Sequence, residues 1–187
     1  MRGVLLVVAA TAFEAELVDD DRAAVAVCGI GPVEAALAAA SAIAEHRPDA
    51  VLQIGIAGAR TLAPGSLALG SESVYCDTVD PSARIPRVER VAPDGRLLEL
   101  ARRALPEAHV LPIGTTARVG GGAGFEVEAM EGFGVLRAAA LAGVPALELR
   151  SISNAVDERD RSRWQVEEAL AALRSALARL VRGLDGA

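Results

Sequence analysis

The chain has 187 residues, 52% of them hydrophobic and 24% charged, enough to bury one well-formed core and too few for two, so a single domain over 1–187 is expected. A net charge of −6, with basic residues scattered singly, leaves no footprint for nucleic acid or an anionic membrane surface and points to a small-molecule partner. All 19 basic residues are arginine, which excludes Schiff-base catalysis by lysine and a P-loop lysine, and two histidines and two cysteines argue against a His-centred triad, a multi-His metal site or a disulfide framework.

The first apolar run, VLLVVAA (4–10), reads as a buried parallel strand. The arginine ahead of it gives MRGVLLVVAATA the layout of a secretory leader, but nothing later looks disulfide-stapled, and a cytoplasmic protein is expected. No apolar stretch reaches the ~18 residues that span a bilayer. Further strands are expected at 23–27, 50–58, 66–75, 109–116 and 144–153, and helices at 32–46, 94–105, 127–143 and 162–184. Strands alternating with alanine-rich helices predict an α/β sheet covered on both faces. The stretch 77–93, with prolines flanking arginines and no period, is expected to be a loop. His46 sits at a helix end and His109 at a strand entry, both surface positions.

Glycine and small residues follow three strands, in CGIGPVEAA (28–36), IGIAGA (54–59) and GGGAG (120–124). The first lacks the third spaced glycine of a dinucleotide fingerprint, so a Rossmann cofactor site is not expected. What remains is a backbone that a ligand can approach closely, as at Ala57 and Gly58. Three carboxylates stand near strand ends or helix starts: Glu14, Asp77 and Glu131. Each alone could serve a helix macrodipole. A parallel sheet, however, gathers the carboxyl ends of its strands on one edge, where residues just beyond 10 and 153 can meet.

The segments VCGIGPVEAALAAASAIAEHRPDAVLQIGIAGA, LAPGSLALGSESVYCD and VEAMEGFGVLRAAALAGVPALELRSISNAVDERDRSRW resemble the nucleoside phosphorylase and nucleosidase superfamily, and within it most the futalosine hydrolase family, over nearly the whole chain. The most specific parts are MEG, R-x-I-S-N and RDRxxW. The resemblance implies a phosphorylase/hydrolase-type mixed central sheet in a three-layer α/β/α arrangement. It also implies hydrolysis of futalosine to hypoxanthine and a dehypoxanthinyl product in menaquinone biosynthesis, no metal or organic cofactor, and a homodimer or higher homo-oligomer. On it, Glu14 activates water, with Glu16 the alternative if the turn is registered differently. Glu131 grips the ribose hydroxyls, Met130 packs under the sugar, and Ser153 and Asn154 stand where adenine-specific relatives carry Ser-Asp. Trp164 falls where an aromatic lines the 5′ pocket. The purine-stacking residue is Phe125 or, more weakly, Val119, because the segment after Thr116 is short. Arg159, Arg161 and Arg163 are candidates for the benzoate carboxylate of futalosine.

These residue types suit the chemistry. N-glycosidic hydrolysis needs a carboxylate to deprotonate water, an acceptor for sugar hydroxyls, and donors for charge developing on the base. An ionised aspartate beside a 6-oxopurine would set lone pairs against lone pairs, whereas the Asn154 amide can donate. An asparagine cannot give up a proton, so residue 154 acts by hydrogen bonding alone. No phosphate-binding arginine lies near the first strand or the GIG loop, which favours water as nucleophile. The alternatives are a methylthioadenosine or S-adenosylhomocysteine nucleosidase and a catalytically silent purine-nucleoside-binding protein.

Overall fold

Alternation along the first strand sets the layers. In β1 (Leu5–Ala9), Leu5, Val7 and Ala9 enter one apolar cluster and Leu6 and Val8 another, because successive side chains of a strand point to opposite faces. The computed structural model describes residues 4–21, 23–78, 84, 87–120 and 123–185. After β1 come α1 (Ala12–Ala15), β2 (Ala23–Val27), α2 (Pro32–His46), β3 (Ala50–Ala59), β4 (Leu67–Tyr75), β5 (Arg90–Val91) and α3 (Gly95–Ala104). Then follow β6 (His109–Thr115), β7 (Val127–Ala129), α4 (Gly132–Ala142), β8 (Ala146–Ala155), a 3₁₀ turn at Arg161–Arg163 and α5 (Val166–Asp185).

The strands form one mixed sheet in the order β2-β1-β3-β7-β6-β4-β5, with β8 pairing β3 in parallel and β4 in antiparallel sense. The pairings β3-β8, β8-β4, β4-β6, β6-β7 and β7-β3 therefore close on themselves. A ring this small encloses little volume, and Ala57, Ala59, Ala68, Ile113, Val127, Ala129 and Ile152 cluster together there. Helices α3 and α5 cover one face of the sheet: Leu173, Ala176, Leu177 and Leu180 form the apolar stripe of α5 against Leu52, Leu147 and Leu149. Helices α2 and α4 cover the other, as a three-layer α/β/α arrangement requires. They pack through small residues: a Cβ at Gly134 would come 3.0 Å from Ala36 N.

Three expectations differ from the structure. The helix read over 127–143 is split, because Val127 and Ala129 enter the ring while Glu128 points the other way, a period of two that pairs with β3 and β6 before α4 begins at Gly132. The helix read over 162–184 starts at Val166, after a 3₁₀ turn capped by Asp160. Within the 77–93 loop, Arg90 and Val91 pair with β4, while residues 79–83, 85 and 86 lie outside the described residues, as do 121 and 122 of the GGGAG stretch. His46 and His109 are both exposed.

Strands β1, β3 and β8 run parallel, so their carboxyl ends reach the same edge of the sheet. That edge carries Thr11 and Glu14, Ala57 and Gly58, and Ser153 and Asn154. Among the described residues no helix is long and apolar enough to cross a membrane.

Candidate active site

A cavity of about 530 Å³ opens at this edge. It is lined by Glu14, Ala57, Gly58, Val119, Met130, Glu131, Ser153, Asn154, Arg161 and Trp164 among others, so ten of the residues singled out in the sequence meet in one space. Phe125 is not among the lining residues. Its ring lies against Gly114 of β6, where a Cβ would come 2.9 Å from the Phe125 ring, and the cavity wall on that side is formed by Thr116, Arg118, Val119 and Gly120. Asp77 is also elsewhere, accepting from Thr116 Oγ1 at 3.0 Å and Ala117 N at 2.6 Å. Glu16 is the C-cap of α1 and does not line the cavity.

Glu14 is buried and held from two sides. The sequence TAFE forms a capping box: Thr11 Oγ1 accepts from Glu14 N, and Glu14 Oε2 accepts from Thr11 N at 3.0 Å and Thr11 Oγ1 at 2.8 Å. The other oxygen, Oε1, accepts from Ile56 N at 3.0 Å, which ties the end of β1 to the middle of β3. Three bonds leave a carboxylate with acceptor capacity towards the cavity. A side chain at Gly55 would collide here, since its Cβ would stand 2.9 Å from Glu14 Oε1.

Glu131 precedes α4, and its Oε1 accepts from Gly31 N at 3.2 Å. Gly31 sits at φ +103°, a region that disfavours other residues, directly before Pro32 opens α2. The Glu131 Oε2 accepts from Arg150 Nη1 at 3.2 Å. Burial raises the Glu131 carboxyl above the ordinary glutamate range, with the Glu14 charge adding to this and Arg150 partly opposing it.

Arg150, in the middle of β8, is the arginine of the R-x-I-S-N pattern, to which the sequence alone assigns no role. It is fully buried, and Nε donates to Glu148 Oε1 at 2.9 Å. Glu148, also buried, accepts in turn from Ser73 Oγ. Burial lowers the affinity of the guanidinium for its proton, and the Glu148 and Glu131 charges more than offset that, so it stays above its ordinary value. A charged residue in the apolar strand ALELRSIS was the available signal. The Cys28 thiol is pushed up to about 12 by burial and then by Glu131, which makes it a small apolar group rather than a nucleophile.

At the far side, Asn154 is half-buried and its amide orientation is set. Oδ1 accepts from Ser153 Oγ at 2.7 Å and Nδ2 donates to Ala155 O at 2.8 Å, leaving one N–H to offer. Trp164 donates from Nε1 to Glu158 O at 3.1 Å, and the Arg161 guanidinium lies 5.5 Å from its ring centroid, inside the lining. Arg163 instead pairs with Glu158 at 3.4 Å, and Arg159 packs over Gly120.

The chain belongs to the phosphorylase superfamily, whose family model matches residues 8–128. Among its relatives it is similar to the futalosine hydrolase of Thermus thermophilus, 32% identical over an alignment of 187 residues that covers 85% of this chain and 81% of that protein. A shorter match, 59% identical over 58 residues, is to the futalosine hydrolase of Streptomyces coelicolor and covers 31% of this chain and 25% of that one. The native structure of futalosine hydrolase from Helicobacter pylori strain 26695 superposes with a TM-score of 0.85 at 21% identity, covering 96% of this chain and 98% of that one, a likeness of fold.

Proposed function

We propose that the protein hydrolyses the N-glycosidic bond of futalosine, releasing hypoxanthine and dehypoxanthinyl futalosine. The observation that carries this reading is that Glu14, Glu131 and Asn154, far apart in the chain, line one cavity. Glu14 takes a proton from water as the water oxygen bonds to C1′. The C1′–N9 bond breaks and its electron pair passes to the purine, where the Asn154 N–H meets the developing charge. Glu131 accepts from the ribose hydroxyls, and Arg150 is a positioning residue that fixes its carboxylate. Because Asn154 cannot yield a proton, N7 receives one through water. Trp164 covers the 5′ substituent, and Arg161 meets the benzoate carboxylate.

The reaction belongs to menaquinone biosynthesis in the cytoplasm. It is carried out by a homodimer: Phe13, Ile30, Val33 and Leu37 are 73%, 57%, 65% and 65% exposed, and the first two line the cavity, so a second copy packed on them would bury apolar surface and close the pocket. Incubation with futalosine, inosine and methylthioadenosine tests the reading. Hypoxanthine released from futalosine is expected; adenine released only from methylthioadenosine contradicts it.

A further inference from the structure

Glu128 has no part in the reaction as described, yet it is buried and lines the cavity. It stands on β7 opposite Gly58 of β3, and Gly58 stands opposite Asn154 of β8. Directly opposed residues on neighbouring strands project to the same face. A carboxylate and an amide therefore flank a position without a side chain, their backbones two strand spacings or roughly 9–10 Å apart. The gap needs glycine in the middle: a Cβ at Gly58 would come 3.1 Å from Asn154 Nδ2.

One oxygen of Glu128 is held, Oε1 accepting from Arg60 Nη2 at 3.0 Å and Gly124 N at 3.0 Å. The other, Oε2, is buried and has no partner among the described residues. A buried acceptor at a cavity wall calls for a donor, and none of the described residues supplies one, which leaves the place to a molecule bound in the cavity.

We propose that Glu128 is a specificity-determining residue whose Oε2 accepts the N1–H of a 6-oxopurine while Asn154 donates to the same base, so that the pair selects hypoxanthine over adenine. The proposal rests on the reading of the site as a purine nucleosidase. Hypoxanthine presents a donor at N1 beside an acceptor at O6, whereas adenine presents an acceptor at N1 beside a donor at N6. Glu128 would set a carboxylate lone pair against adenine N1. Asn154 cannot turn its oxygen to the N6 amino group without giving up its bonds to Ser153 and Ala155. A site built to hydrogen-bond a particular group rejects analogues that lack it.

The test uses the unaltered protein first, titrated with hypoxanthine, 1-methylhypoxanthine and adenine by calorimetry. The methylated base keeps O6 and N7 and loses only the N1–H. Both analogues are expected to bind about ten- to a hundredfold more weakly than hypoxanthine, the loss of one hydrogen bond to a charged acceptor. In Glu128→Gln, checked for an unchanged melting profile, the preference for hypoxanthine over adenine should shrink by a similar factor. Equal binding of hypoxanthine and 1-methylhypoxanthine, no binding of hypoxanthine, or an unchanged preference in a folded variant overturns the assignment. Selective hypoxanthine binding without turnover of any riboside would instead overturn the hydrolytic reading and leave Glu128 standing.

Discussion

The Glu14 carboxylate accepts the Ile56 N–H at 3.0 Å across 42 positions of sequence, so the group we propose as the base is fastened to the strand that floors the cavity. Replacing Glu14 by Gln keeps the shape and the helix cap but removes the base. Turnover is expected to fall ~10²–10⁴-fold while hypoxanthine binds nearly as before. A steady-state assay beside a binding titration checks this; undiminished turnover would mean that another group takes the proton.

Glu131 gives a pH prediction. Its folded-state value is raised, first by burial, so as pH falls the carboxylate gains its proton at a higher pH than an ordinary glutamate would. A protonated carboxyl accepts ribose hydroxyls poorly. The acid limb of the kcat/KM profile should therefore lie above the ordinary glutamate range. The same shift makes Glu131 favour the folded state fully only below its unfolded value, a contribution lost as pH rises through the folded one. A limb at or below the ordinary range would remove Glu131 from the binding step.

Glu148 holds Arg150 from behind and touches nothing in the cavity. Glu148→Ala leaves a buried guanidinium short of one partner, which costs about 3–5 kcal/mol. Urea unfolding should show that loss, and any surviving activity should show a raised KM for the riboside as Glu131 loosens. Stability within 1 kcal/mol of the parent, on the ordinary scale of surface changes, would contradict the account of this buried chain of charges.

Arg161 is expected to discriminate by the 5′ substituent. In Arg161→Ala, KM for futalosine should rise about tenfold or more, the loss of a charge-assisted bond, while KM for inosine, which has no benzoate, stays the same. Equal effects on both substrates would place the benzoate elsewhere, with Arg118 the other arginine that lines the cavity among the described residues.

The exposed face of α2 predicts assembly. Val33→Asp or Leu37→Asp, neither lining the cavity, should shift the protein to monomer in sedimentation and lower kcat/KM together with it. A parent protein that is monomeric and fully active would dispose of the shared pocket.

Much of the layer pattern was legible because β1, α2, β3 and β8 carry unbroken periods, and the parallel run of β1, β3 and β8 already implied that Glu14 and Asn154 could meet. Strand β7 was hidden because three residues are too few to show a period beside the alanine-rich helix that follows them. Phe125 was drawn toward the purine only by being the aromatic in a short segment; its packing over Gly114 depends on a close approach between β6 and the loop that no local pattern announces. Arg150 and Glu128 are charged residues inside apolar strands, a visible anomaly whose meaning comes only from what lies across the sheet.

The most direct measurement is hydrolysis of futalosine in ¹⁸O-labelled water without phosphate, followed by mass spectrometry of the sugar product. Water displacing the base predicts full activity and one labelled oxygen at C1′. An absolute need for phosphate, with a sugar 1-phosphate as product, would contradict the account.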